Sequence, residues 1–154
     1  VAINRRTGAA YRGALFTVEY VEPGCKFSFR LIAENIPNYA LGLLAEVVEQ
    51  LNTGVVKVGG LKSRGFGKIH FENLKLSVYS PRPEEYGVHE GFLKPLDPID
   101  HEVPWPGSNT LAKVEGEEAE KVLEGLREAW RQALDQLRKV SESGWKWEVV
   151  IGGV

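Results

Sequence analysis

The alternation of apolar and polar residues near the start of the chain predicts two neighbouring strands. Residues 14–21 and 25–33 are strand-like, and the second segment alternates so that Phe27, Phe29, Leu31 and Ala33 share one face. Glu22-Pro23-Gly24, between the two segments, is typical of a turn. The pattern therefore predicts an antiparallel hairpin.

Two segments have the apolar spacing of helices instead. Residues 39–53 form the first, with Asn38 as the expected N-cap and Gly54 as the stop. Its apolar stripe consists of Leu41, Leu44, Ala45, Val48 and Leu51, and we expect it to pack on the hairpin through Leu44 and Val48. Residues 117–140 form the second and stronger helix. Its stripe consists of Ala119, Leu123, Leu126, Trp130, Ala133, Leu137 and Val140, widened by Val122, Ala129 and Leu134. Docking on its own domain is favoured over pairing with a partner helix.

The rest of the chain is less regular. A strand is expected over residues 68–79, with a bulge or kink near Asn73 where the apolar phase changes. Residues 81–114 are rich in proline and have no clear period, which favours a long excursion over the core or a partly mobile lid. Trp145, Trp147, Val149 and Ile151 alternate as a short terminal strand.

The order of these elements indicates the fold class. Strand, strand, helix, glycine-rich loop and strand match an α+β, ferredoxin-like (RRM-like) core that lacks its first strand and helix, with an added C-terminal helical segment. We divide the chain into residues 1–80, the C-terminal part of such a domain, and residues 81–154. The chain has no methionine, even at position 1, so we expect a fragment. Either a preceding piece completes the sheet, or the C-terminal helix and the Trp-rich strand take its place.

Composition indicates the class of protein, its cellular compartment and its charge distribution. With 43% hydrophobic and 26% charged residues, the chain has the composition of an ordinary globular protein. The absence of a long apolar run and the single Cys25 favour a cytoplasmic protein without a membrane partner. Residues 1–80 carry ten Lys and Arg against six Glu, a net charge of +4, whereas residues 81–154 carry nine against fifteen Asp and Glu, a net charge of −6. We therefore expect the two halves to face different partners, the alternative being that each is a solvated surface.

The glycine-rich loop over residues 59–67 is the most specific feature. Its glycines and exposed backbone N–H groups, together with Lys62, Ser63, Arg64 and Lys68, suit a phosphate cradle, and Phe66 between Gly65 and Gly67 suits stacking on a base. A phosphate-binding P-loop is excluded because Phe66 occupies its lysine position. A dinucleotide-binding loop is excluded because His70 stands at its third glycine.

Two stretches resemble a known family. GGLKSRGFGKIHF (59–71) is similar to the glycine-rich signature of the RAMP superfamily of CRISPR-associated proteins. INRRTGAAYRGALFTVEYVEPGCKFSF (3–29) resembles the segment that forms the middle hairpin in the backbone subunit of type III effector complexes, with Asn4 where that family usually has Asp. The resemblance covers residues 3–80.

This resemblance implies a structural subunit of a type III complex in antiviral defence. The implied partners are CRISPR RNA, target RNA and other RAMP subunits. From the residues themselves, the expected RNA contacts are Lys62, Ser63, Arg64, Gly65, Phe66, Gly67 and Lys68 of the loop, and Arg5, Arg6 and Arg12 near the hairpin, whose alternative is plain surface charge. In such subunits cleavage of target RNA depends on an aspartate in a region that this chain lacks, so no catalytic residue is assigned. No cofactor or metal is expected.

Two alternatives stay open. A RAMP-type endoribonuclease that processes precursor CRISPR RNA would use His70 or His89 beside Lys62 or Tyr79, although no spacing favours it. An interaction module would use the helix over residues 117–140. Metal binding by His70, His89, His101, Asp97, Asp100 and Glu102 lacks any known ligand spacing. Cys25 is expected to be a buried thiol rather than a nucleophile.

Overall fold

The structure, a computed structural model, describes residues 4–8, 17–106 and 111–142. It divides into two units, residues 1–32 and residues 33–154. The second unit combines helices with small antiparallel sheets, so the predicted α+β class is confirmed. A ferredoxin-like arrangement of these elements stays a prediction.

Helices α1 (Asn38–Asn52) and α3 (Glu117–Glu142) lie close to their predicted bounds. Among the described residues, no helix is long and apolar enough to cross a membrane. The predicted stripe of α3 docks on its own unit, with Ala119, Val122, Leu126, Ala129 and Ala133 buried. Leu123, Trp130 and Leu137 are partly buried. The long amphipathic helix thus covers the core of its own unit.

Helix α1 crosses α3 at Gly42. A Cβ atom at this position would overlap the carbonyl of Leu126 and lie 2.8 Å from the Cβ of Trp130. Arg127 and Arg131 of α3 add ion pairs, Arg127 to Glu49 at 3.4 Å and Arg131 to Glu46 at 4.0 Å. The face of α1 that meets α3 thus carries Gly42, Glu46 and Glu49. Leu44 and Val48 are half-buried, and their packing on the hairpin stays a prediction.

The sheets come from the proline-rich segment and the strand before it. Strand β1 (Lys75–Tyr79) pairs antiparallel with β5 (Leu111–Glu115). Helix α2 (Pro83–Tyr86) leads into a three-stranded antiparallel sheet of β2 (Val88–His89), β3 (Phe92–Leu93) and β4 (Val103–Pro104). Val88, Leu93, Val103 and Trp105 are buried in the same core as α1 and α3. The prolines therefore belong to a segment that packs over the core, one of the two structures we expected for it.

One carboxylate joins this segment to the start of α1. Asp100 accepts hydrogen bonds from the backbone N–H groups of Asn38 (2.9 Å), Tyr39 (3.1 Å), Leu96 (3.0 Å) and His101 (3.0 Å). Because the first N–H groups of a helix have no partner within it, a carboxylate here both satisfies them and suits the helix dipole. Asp100 thereby caps a helix that lies far from it in sequence.

The Asn38 side chain donates further hydrogen bonds to the same segment. Its side-chain amide is within hydrogen-bond distance of the carbonyls of Leu93 (3.4 Å), Lys94 (3.3 Å) and His101 (2.8 Å). The prediction that Asn38 is the N-cap is wrong, since Pro37 precedes the helix and the Asn38 side chain is buried against the later segment. Nearby, burial and a 3.1 Å hydrogen bond to Asp97 raise the pKa of Tyr39.

The structure also corrects the prediction of two hairpin strands. In the described part of the hairpin, residues 17–33, the turn is present, with Cys25 N–H donating to the Glu22 carbonyl at 3.2 Å, but neither flanking segment is a strand. Phe27 is 77% exposed and Leu31 is 58% exposed. A two-stranded hairpin is marginal unless a further layer covers its apolar face, which gives a physical reason for the missing pairing. Cys25, expected to be buried, is exposed.

The later strand is shorter than predicted. Residues 68–74 are not a strand, and the pairing begins at Lys75. Asn73, where the apolar phase changes, has a positive φ of 55°, so the expected kink is present there. The predicted terminal strand over Trp145–Ile151 lies outside the described residues.

The close crossing at Gly42 predicts a severe effect of a single methyl group. We expect Gly42→Ala to lower the free energy of unfolding by about 2–4 kcal/mol, because the new Cβ meets backbone rather than a movable side chain. Urea unfolding followed by circular dichroism measures the loss. Val47→Ala, at an exposed position of the same helix, is the control and should stay within about 0.5 kcal/mol. Equal stabilities of the two variants would contradict the packing.

The Asp100 cap generates a second prediction. Asp100→Asn turns one acceptor oxygen into a donor, so at least one buried N–H loses its partner, and we expect a loss of about 2–4 kcal/mol. The matched control is Asp135→Asn, since Asp135 is exposed on α3 and pairs with Arg138 only at 3.8 Å. Thermal unfolding of both variants in one buffer checks the difference. A control as unstable as Asp100→Asn would refute a special role for the cap.

Candidate nucleic-acid interface

The candidate site begins where α1 ends. Thr53 N–H donates to the Glu49 carbonyl at 2.9 Å, and Gly54 N–H donates to Leu51 at 3.1 Å, with Gly54 at a φ of 73°. A glycine in the left-handed region is the usual way to stop a helix, so the predicted role of Gly54 is confirmed. The chain leaves the helix there and enters the glycine-rich loop.

The 59–67 loop is closed at its base by one backbone contact. Val58 N–H donates to the Gly67 carbonyl at 2.9 Å. Gly67 has a φ of 85°, and a Cβ there would overlap the Val58 carbonyl. Beyond the loop, Phe71 N–H donates to the side-chain oxygen of Asn52 at 2.7 Å, which ties the exit to the last residue of α1.

The tip of the loop is a single 3₁₀ turn over Lys62–Arg64. Arg64 N–H donates to the Leu61 carbonyl at 2.8 Å, and Gly65 N–H donates to the Lys62 carbonyl at 3.3 Å. Both flanks have left-handed backbone, with φ of 54° at Leu61 and 92° at Gly65. The side chains of the turn are thus presented by a folded tip rather than by extended chain.

The predicted contact residues of this loop are brought together at the surface. The exposed ones are Lys62, Ser63, Arg64, Gly65, Phe66 and Lys68, and Gly67 is half-buried. Residues 53–71 contain four Lys and Arg and no Asp or Glu. In the described part of the chain, no carboxylate forms an ion pair with Lys62 or Lys68. This local positive charge, together with a partly exposed aromatic ring, suits an RNA backbone with its bases.

The other predicted contacts belong to the first unit. Arg5 and Arg6 are exposed in a turn organised by Asn4. The Asn4 side-chain oxygen accepts from Arg6 N–H at 3.0 Å, and its carbonyl accepts from Gly8 N–H at 2.8 Å. Asparagine is a common residue in such turns because its side chain bonds the backbone two residues on. Arg12 lies outside the described residues.

Sequence reasoning missed Lys57. Its ammonium group donates to the carbonyl of Lys62 at 3.2 Å, across the loop from the base to the tip. The available signal was weak: Lys57 is the one polar side chain in the run Val55–Val58. Nothing in that pattern indicates a backbone acceptor five residues away.

The residues considered for other chemistry have separate surroundings. Among the described residues, no group of three His, Cys, Asp or Glu side chains is placed to hold a metal ion. Asp97 and Asp100 bond backbone N–H groups near α1, and Glu102 pairs with Lys94 at 2.8 Å. His70 is exposed, and His89 lies 3.8 Å from Glu90. Within the described chain, no hydrogen bond joins either histidine to Lys62 or Tyr79.

Three of the four glycines of the loop provide a graded prediction. A Cβ at Gly60 meets open space at an ordinary φ, a Cβ at Gly65 meets open space at a φ of 92°, and a Cβ at Gly67 is blocked. We therefore expect alanine to cost nearly nothing at Gly60, about 1 kcal/mol at Gly65 and about 2–4 kcal/mol at Gly67. Chemical unfolding of the three variants tests the order. A Gly60→Ala variant as unstable as Gly67→Ala would contradict the loop geometry.

Comparison with known proteins gives one match. Residues 1–72 match the family model of the RAMP superfamily, whereas no curated protein and no solved structure matches the chain. The matched residues include the turn at Asn4, helix α1 and the whole 59–67 loop. Residues 1–72, slightly less than half of the chain, are therefore similar to the RAMP superfamily.

Proposed function

We propose that the chain is a CRISPR RNA-binding structural subunit of a type III RNA-guided complex, and that the 59–67 loop grips the RNA backbone. The family match supports a CRISPR-associated, RNA-binding role in general. The observation that carries the finer proposal is the folded, exposed loop tip with its cations, which lies within the matched residues. Lys62 and Arg64 then contact phosphates, Ser63 and the backbone N–H groups add hydrogen bonds, and Phe66 stacks on a base.

Arg5, Arg6 and Arg12 provide further phosphate contacts in this proposal. Arg5 and Arg6 are exposed, and the turn at Asn4 defines their backbone. A grip that uses phosphates does not depend on base identity, which suits a subunit that must accept guide RNAs of many sequences. Target RNA is the second nucleic acid of the proposal, since it pairs with the guide.

The proposed protein partners are other RAMP subunits and a protein segment that completes the sheet predicted for residues 14–33. Residues 25–33 support this part, because Phe27, Phe29 and Leu31 recur at every second position and are all exposed. Apolar residues spaced in this way suit one face of a strand in a covered sheet.

The acidic part of the chain has a different role in the proposal. Helix α3 stays away from RNA and packs against α1, since its apolar stripe is buried within its own unit. Its first turn carries Glu117, Glu118 and Glu120, which would repel phosphate.

Removing two loop cations tests the grip. We expect Lys62→Ala with Arg64→Ala to weaken binding of single-stranded RNA about equally across sequences. Two lost phosphate contacts should flatten the slope of log affinity against log salt by roughly 1.4. Fluorescence anisotropy over a salt series measures both quantities.

The matched control removes two cations from α3, Lys121→Ala with Arg138→Ala, which are both exposed. Both double variants remove two positive charges from the chain, so a difference between them reports the position of the cations rather than the net charge. Phe66→Ala provides a second arm: loss of stacking should cost on the order of 1–3 kcal/mol while the salt slope stays nearly constant. If the loop variant and the α3 variant bind RNA with the same affinity and slope, the loop is a turn and the proposal fails.

A further inference from the structure

The 59–67 loop has little packing to hold its shape. A Cβ atom placed at Gly59, Gly60 or Gly65 would have no atom within 4 Å, so no neighbouring group packs against these positions. The turn residues Lys62–Arg64 are exposed as well. A loop without buried side chains depends on its few hydrogen bonds for a defined conformation.

That conformation also contains a disfavoured residue. Leu61 has a φ of 54° and a ψ of 27°, in the left-handed region. For a residue with a side chain, this region costs roughly 1–2 kcal/mol, and residues adopt it where their surroundings hold them there. Apart from glycine, asparagine is the usual occupant, so leucine here marks a position that other contacts must stabilise.

Lys57 supplies such a contact. Its half-buried side chain crosses the loop, and its ammonium donates to the Lys62 carbonyl at 3.2 Å. The same carbonyl accepts from Gly65 N–H at 3.3 Å, so the two bonds meet at the residue that follows Leu61. Among the described residues, no carboxylate forms an ion pair with Lys57, whose ammonium bonds the loop tip instead.

We propose that Lys57 is a positioning residue for RNA binding, which holds the loop tip so that Lys62, Ser63 and Arg64 meet the phosphates without prior rearrangement. The inference rests on the proposed function of the loop. A loop that is already ordered loses less conformational entropy when it binds, so affinity rises without a new contact to the ligand. In this role Lys57 acts through the Lys62 carbonyl rather than by touching RNA.

The test compares Lys57→Met, which keeps the unbranched apolar stem and removes the donor, with Lys57→Arg, which keeps a donor and a charge. We expect Lys57→Met to weaken binding of a mixed-sequence single-stranded RNA roughly fivefold, the equivalent of one net hydrogen bond. Lys57→Arg should recover most of this loss. The salt slope should change by well under the roughly 0.7 expected for a lost phosphate contact.

A second measurement needs no RNA. Amide hydrogen exchange of the free protein should accelerate at Arg64 and Gly65 in Lys57→Met, since their N–H groups bond within the tip. Exchange in α3 and the thermal midpoint should stay as in the parent protein. A purely structural role would instead lower the midpoint and accelerate exchange throughout the unit.

Several results would overturn the inference. A slope that falls by roughly 0.7 with unchanged exchange at the tip would make Lys57 a direct phosphate contact. Unchanged affinity in Lys57→Met would show that the tie does not matter for binding. Parent protein that fails to bind RNA would refute the proposed function itself, and the exchange data would then still decide whether Lys57 orders the tip.

Discussion

The hydrogen bonds that join the start of α1 to the segment carrying Asp100 are the constraint on which the second unit depends. Asp100 satisfies the first N–H groups of α1, while the Asn38 amide bonds carbonyls of the segment that carries Asp100. Both side chains are buried, so each polar group needs the partner that the other segment supplies. Helix α1 is thus fixed at its start and packed on α3, and its C-terminal end positions the loop. Asn52, at that end, also accepts a hydrogen bond from Phe71 N–H beyond the loop.

The fold was predictable where packing follows a regular period and unpredictable where it does not. Helix α3 could be recognised to within two residues because its apolar spacing continues for several turns. The Asp100 cap could not, because it joins positions 62 residues apart. Val88 and Val103 enter the core from strands of two residues, too short to show any alternation. Residues 25–33 show the opposite case, since they alternate clearly but pair with no strand in the described part of the chain.

The candidate site divides in a similar way. A positive φ at Gly65 and Gly67 could be predicted from the sequence, because glycine adopts that conformation without steric cost. Both residues have it in the structure. Leu61 shares that conformation, but a leucine does not indicate it. Lys57 was missed because its partner is a backbone carbonyl, which every residue has and no sequence pattern identifies. The glycine conformations of the loop were therefore easier to predict than the contacts that orient its side chains.

Ultraviolet cross-linking with peptide mapping tests the central claim, that the loop is where the chain meets RNA, most directly. The full chain would be mixed with single-stranded RNA that contains 4-thiouridine, irradiated and digested, and the modified peptides would be identified by mass spectrometry. The account predicts cross-links within residues 57–68, with Phe66 at or near the attachment point. Cross-links confined to α3 and the β1–β5 sheet, with none in the loop at saturating RNA, would contradict it.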